Sequence, residues 1–201
     1  MKKIIIDKKF VLSSAYDEYK YLVDSMSDNG CPDIGNYNKP GISDYPFYAY
    51  YSSLVDDTTI LEIGTCRGGS AMMMTHNPTN KIVSYDVVNL RPGSFNPTNK
   101  NIEFRVGNFM EDEIDYDKID LITIDAAHNG TEEIEMVKHL QKNWKGGLLF
   151  LDDINLSQMR GFWESIDRDR HEVFDISNIA HGHHGSGLVN FNRYFDLTVA
   201  E

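Results

Sequence analysis

The 201-residue sequence contains only two cysteines, Cys31 and Cys66. A chain of this length buries roughly two-thirds of its unfolded surface without a disulfide framework, so both are expected to remain reduced thiols. No apolar run approaches the roughly 20 residues that span a bilayer, and the early run Ile4 to Ile6 is too short for the core of a secretory signal. These absences predict a cytoplasmic protein without membrane contact. The acceptor-like triplet Asn129-Gly130-Thr131 is then a chance match to a glycosylation site. No long basic run occurs either, and the formal net charge is -12. Binding that rests on phosphate neutralisation is disfavoured, which removes nucleic acid from the expected partners. Most of the acids are expected to form a solvated face, although an acidic surface also suits a cationic cofactor or a metal ion. Internal repeats and low-complexity tracts are missing as well. One domain is therefore expected, and homo-oligomerisation is left open.

What is present changes character near Asp57. The region 1–57 is rich in tyrosine and reads as a helical cap; 58–201 reads as an α/β core. In the cap, Tyr16, Tyr19, Val23 and Met26 recur at helical spacing behind the candidate caps Ser13 and Ser14. A second helix is expected from Pro46, presenting Phe47, Tyr50, Tyr51 and Leu54. Between them, Cys31 to Gly41 reads as a loop. In the core, short apolar runs at Thr59 to Ile63, Lys81 to Tyr85, Ile102 to Val106, Leu121 to Ile124 and Leu148 to Leu151 have the pattern of strands buried on both faces. A mostly parallel sheet covered by helices follows. The clearest helix spans Thr131 to Asn143, with Asn129 and Glu132 at capping-box spacing, a stripe of Ile134, Val137 and Leu140, and Gly146-Gly147 at its end. Strands near Val173 to Ile176 and Leu188 to Asn192 are expected to finish the sheet as a hairpin.

The stretch from Ile60 to Ser70 is a buried strand, a glycine-rich turn and a helix start. It lacks both the Gly-x-Gly-x-x-Gly fingerprint of nicotinamide binding and the lysine of a phosphate loop. Its glycines, Gly64, Gly68 and Gly69, permit positive φ and let a ligand approach bare backbone. Asp86 ends the next strand 22 residues after Gly64, where an acid binds a ribose diol in nucleoside-binding α/β folds. Further on, Asp125, Asp152 and Asp153 stand at the ends of the fourth and fifth strands. Three carboxylates facing one crevice repel each other and select a hard cation such as magnesium, calcium or manganese. The alternative is that an acid such as Asp153 caps the following helix. The loop with His181, His183 and His184 reads either as a soft-metal site or as a mobile loop gating substrate.

The arrangement Glu62-x-Gly64-x-x-x-Gly68 resembles the first motif of class I S-adenosylmethionine-dependent methyltransferases. That resemblance implies a Rossmann-like, mostly parallel seven-stranded sheet with an antiparallel last strand. It also implies a cofactor site of Glu62, Gly64, Thr65, Gly68, Gly69, Ser70, Asp86 and Asp125, with Asn108 and Phe109 at the adenine ring. The later pattern, Ile124-Asp125-x-x-His128, then a helix, Gly146-Gly147 and Asp152-Asp153, is similar to small methyltransferases acting on sugar hydroxyls, including rhamnosyl and macrolide-sugar enzymes. More distantly it resembles catechol-type enzymes. By that resemblance Asp125, Asp152 and Asp153 are metal ligands, His128 with Asp125 is catalytic, and His128 is the general base. No upstream acidic ligand is placed between Ser27 and Tyr51. The acceptor implied is a small molecule or glycan with a free hydroxyl; the alternatives are a catechol-type acceptor or an inactive nucleoside-binding module.

Overall fold

The computed structural model describes residues 1–7, 15–28, 30–31, 45–97, 99–180 and 184–200. Its centre is a seven-stranded sheet built from β2 (Thr59–Ile63), β3 (Lys81–Asp86), β4 (Ile102–Val106), β5 (Ile119–Ile124), β6 (Gly147–Asp152), β7 (Glu172–Asp175) and β8 (Ser186–Phe191). The spatial order is β4-β3-β2-β5-β6-β8-β7. All pairings from β4 to β6 are parallel, and β8 runs antiparallel between β6 and β7. The order reverses between β2 and β5, and a crevice opens at the carboxyl ends of strands where this happens.

Side-chain alternation divides the core into two layers. On one face Ile60, Ile82, Leu121, Leu148, Phe150 and Leu188 pack under α1 (Ala15–Asp28), α2 (Tyr45–Ser52), α3 (Gly69–Met74) and α6 (Ser177–Ala180). On the other, Leu61, Ile63, Val83, Ile122, Ile124, Leu149 and Leu151 pack under α4 (Thr131–Asn143) and α5 (Arg160–Ser165). The sheet is less fully covered by helices than its strand pattern suggests. Among the described residues, the connection from β3 to β4 has no helix, and that from β4 to β5 holds only short 3-10 turns at Phe109–Glu111 and Tyr116–Lys118.

The helix ends show which sequence signals acted. The cap residue of α4 is Gly130, and Asn129 supports it from the preceding position, its Oδ1 accepting from the amides of Thr131 and Glu132, each at 2.9 Å. The returning carboxylate is Glu133 and not Glu132. α4 stops at Trp144, whose amide still donates to Leu140, while Gly147 already begins β6. Within the stripe, Met136, Val137 and Leu140 are buried, and Ile134 is only partly so.

Two further strands carried no pattern that marked them. β1 (Lys3–Ile6) pairs in parallel with β9 (Asp196–Val199), in register from Lys3 with Asp196 to Ile6 with Val199. Ile4 and Ile6 enter the first core layer, and Tyr50 of α2 donates its hydroxyl to the carbonyl of Ile5 while accepting from the amide of Asp7. α2 is mostly aromatic. Phe47 and Tyr48 lie on Phe150, with ring centroids 5.1 and 5.2 Å away.

Tyr51 is fully buried and donates to backbone carbonyls of two adjacent strands, Leu148 at 2.5 Å and Ile122 at 3.0 Å. Tyr51→Phe keeps the ring and removes that bond. It should lower the unfolding free energy by about 1 to 2 kcal/mol in denaturant titration; an unchanged midpoint would refute this account of how α2 is docked.

Candidate active site

The crevice holds a cavity of about 380 Å³. Four strand ends wall it: Gly64 and Cys66 after β2, Asp86 and Val87 after β3, Gly107 to Phe109 after β4, and Asp125 to His128 after β5. Tyr45 of α2 and Glu132 and Met136 of α4 complete it. Of the residues singled out in the sequence, the structure therefore brings Gly64, Asp86, Asn108, Phe109, Asp125 and His128 to one cavity. Glu62, Thr65, Gly68, Gly69, Ser70, Asp152 and Asp153 lie behind or beside it and do not form its wall.

The first loop explains this split. Gly64 has φ of 105°, and a Cβ there would lie 1.7 Å from the carbonyl oxygen of Asp125. The glycine is required because two strand-end loops meet backbone to backbone. At Gly68, φ is 91° and a Cβ would press on the Phe95 ring at 2.9 Å. The left-handed backbone and the packing together account for this second glycine.

Glu62 points into the first core layer, completely buried, and accepts from the hydroxyls of Ser70 and Ser84. Thr65 extends the chain of hydroxyls, 2.5 Å from Ser84. Thr123, the neighbour of Glu62 across β5, has a buried hydroxyl without a hydrogen-bond partner. Burial pushes the Glu62 carboxyl up to about 7, against the lowering effect of the two serine hydroxyls, and Asp86 adds a smaller upward push.

Asp86 fastens the loops on either side of it. One carboxylate oxygen accepts from the amide of Cys66 at 2.8 Å and the other from the amide of Val88 at 3.2 Å. Each oxygen keeps a lone pair for a further donor. Asn108 turns back on its own segment, accepting from the amide of Met110 and donating to Glu111. Phe109 is buried, edge-on to Tyr85 and His139, and gives the cavity an aromatic wall. Tyr45, Val87 and Met136 share this wall but carried no distinguishing motif; only their places, beside Asp86 or on a helix face, would have marked them.

At the other end stand the acids and the histidine. His128 has Nε2 3.3 Å from Asp125 Oδ1 and Nδ1 3.3 Å from Asp153 Oδ2. The second contact is a charge approach only, because Nδ1 is buried without an aligned hydrogen-bond partner. Asp125 is also reached by the buried Tyr48, whose hydroxyl lies 3.5 Å from its other oxygen. Burial, followed by the charges of Asp125 and Asp153, pushes Asp152 up to about 8. Cys66, His128 and Asp153 all have positive φ, at 46°, 52° and 58°. Non-glycine residues persist there only when their surroundings hold them. Among the described residues, no group of three or more His, Cys, Asp or Glu side chains is arranged to hold a metal ion; the imidazole stands between Asp125 and Asp153. His181 and His183 lie outside the described residues, while the carbonyl of His184 accepts from the amide of Asn155 at 2.8 Å.

Glu62 generates a test that needs no ligand. Its folded pKa lies above the unfolded value of 4.5, so its stabilising contribution is complete below about 4.5 and is lost as pH rises towards about 7. The difference in unfolding free energy between Glu62→Gln and the wild type should therefore move in the variant's favour across that window, by on the order of 3 kcal/mol. A difference independent of pH would mean that Glu62 has the same pKa in the folded and unfolded states.

No protein-family model and no curated protein matches the chain. Solved structures do. The cofactor-bound Rv0187 from MTB aligns over 86% of this chain and 88% of its own, with a TM-score of 0.61 and 14% identity. The SAH-bound Podospora anserina methyltransferase PaMTH1 aligns over 88% and 87%, at 0.59 and 15%. An O-methyltransferase from Bacillus cereus in complex with SAH aligns over 89% and 91%, at 0.57 and 16%. At such identities the likeness is one of fold: the chain has the Rossmann-like class I methyltransferase fold, its mostly parallel seven-stranded sheet closed by an antiparallel strand.

Proposed function

We propose that the chain is an S-adenosylmethionine-dependent O-methyltransferase whose acceptor is a hydroxyl of a small molecule or glycan, a sugar hydroxyl such as that of a rhamnose-type sugar, assisted by a divalent cation. The observation that carries this reading is the shared cavity. A loop glycine, a strand-end acid and an aromatic wall occupy one part of it, and an acid–histidine pair the other. The chain also shares its fold with structures described as methyltransferases, two of them in complex with SAH.

The cofactor's residues fit their task. Asp86 has unused lone pairs at the cavity for a ribose diol, while Val87, Phe109 and Met136 offer apolar surface to a flat ring. S-adenosylmethionine supplies an electrophilic methyl group, so the protein's work is to hold an acceptor oxygen in line with it and to remove the hydroxyl proton. His128, about a third exposed on the crevice, receives that proton as the new O–C bond forms and the S–C bond breaks. Asp125 and Asp153, each 3.3 Å from one ring nitrogen, hold the ring between them.

The donor chemistry also supports a hard cation. Burial first, and then the neighbouring charges of Asp125 and Asp153, raise Asp152 to about 8; a divalent ion would relieve the part that is mutual repulsion. Held by Asp125, Asp152 and Asp153, such an ion would ease loss of the hydroxyl proton.

Calorimetry on the purified chain should register binding of S-adenosylmethionine and S-adenosylhomocysteine, and Asp86→Ala should weaken it by roughly 2 to 4 kcal/mol through loss of two charge-assisted bonds. Binding of NAD with no response to either compound would sink the reading. Turnover should then be sought with a panel of sugars and nucleotide-sugars. It should stop in excess chelator and return with magnesium, calcium or manganese; full activity in chelator would remove the metal from the proposal. His128→Ala should lower kcat by about 10² to 10⁴ and leave S-adenosylhomocysteine affinity nearly unchanged, and near-normal turnover would assign the base elsewhere.

A further inference from the structure

Glu133 sits in the first turn of α4 with 1% of its surface exposed, and among the described residues its carboxylate is matched by backbone amides and not by an ion pair. Oε2 accepts from the amide of Gly130 at 2.7 Å, the returning bond of a helix cap. A cap needs no more than that. Oε1 accepts from the amide of His128, also at 2.7 Å, five residues back and outside the helix. His128 holds φ at 52°, in the left-handed region that few non-glycine residues occupy and that costs energy unless neighbouring structure supports it. From that conformation its imidazole reaches Asp125 on one side and Asp153 on the other. Two charge-assisted bonds from a single buried carboxylate thus clamp the loop between β5 and α4 at the residue where the chain leaves ordinary backbone geometry.

We infer that Glu133 is a positioning residue. By binding the amides of His128 and Gly130 together, it fixes the left-handed turn that delivers the His128 imidazole between Asp125 and Asp153. Its functional meaning rests on the reading of His128 as the acceptor-side base, but the positioning itself does not. A carboxylate is the group this duty requires, since it alone offers an acceptor to both amides. In Glu133→Gln, whichever way the amide is turned, its NH₂ must face an N–H donor, and one bond is lost.

The experiment uses the full chain and needs no acceptor. Amide hydrogen exchange and imidazole ¹H–¹⁵N spectra would be recorded for the wild type, for Glu133→Gln and for Val137→Ala, which thins the packing of the same helix one turn on. In the wild type the His128 and Gly130 amides should be protected together. Glu133→Gln should speed their exchange by about tenfold or more, as loss of a bond to a charged acceptor implies, and shift the His128 ring signals while those of His76 and His171 stay put. Val137→Ala should leave the His128 ring signals where they were. Unchanged exchange and ring signals in Glu133→Gln, or an equal shift in Val137→Ala, would overturn the inference. Should Glu133→Gln fail to fold, the wild type decides alone, because fast exchange at the His128 amide is incompatible with the clamp. If the ring moves as expected while His128→Ala keeps full turnover, the positioning holds and the reading of His128 as base falls.

Discussion

The crevice depends on one contact between backbones. Where β2 ends, the chain passes so close to the end of β5 that a single methyl group at Gly64 would overlap the Asp125 carbonyl. The amide of Gly64 is bonded to Tyr85 and that of Asp125 to Ile63, so three neighbouring strands finish at one level, tied across their last residues. The strand-end residues of β2, β3 and β5 that face the cavity are placed from this tie. It aims Asp86 at the loop amide of Cys66, and it starts the 125–130 segment from a fixed point beneath α4.

Much of this could be read in the sequence, for identifiable reasons. The core strands are short apolar runs bounded by polar residues, and a parallel sheet buried on both faces leaves that mark whatever its ligand. Thr131 to Asn143 is a helix because Asn129 supports its cap and Met136, Val137 and Leu140 recur on one side. Acids at strand ends could be placed near a crevice, because the carboxyl ends of parallel strands lie together.

What was not legible is set by partners distant in sequence. Glu62 reads as a ligand by its motif, yet Ser70 and Ser84 take both its oxygens inside the core, and nothing in the spacing announces two hydroxyls converging from different elements. Gly68 reads as a ligand contact, while its neighbour is the Phe95 ring from the connection after β3. Glu132 and Glu133 are adjacent acids at a helix start. Local rules favoured the first, and burial against the loop before the helix selected the second. The pairing of β1 with β9 left no trace either, since four-residue strands meeting only each other show alternation too brief to recognise.

That small pairing has a kinetic consequence. Parallel contacts between residues 3–6 and 196–199 are nearly as non-local as this chain permits, so they require the largest loop closure in the fold and are expected late in folding. Late contacts are also natural places for local opening from the native state. The route inward is short. Tyr50 holds Ile5 and Asp7 from α2, and the same helix carries Tyr48, which touches Asp125. Fraying where the two ends of the fold meet therefore removes one anchor of the helix that carries Tyr48, while Tyr51 and the rings on Phe150 keep that helix on the sheet.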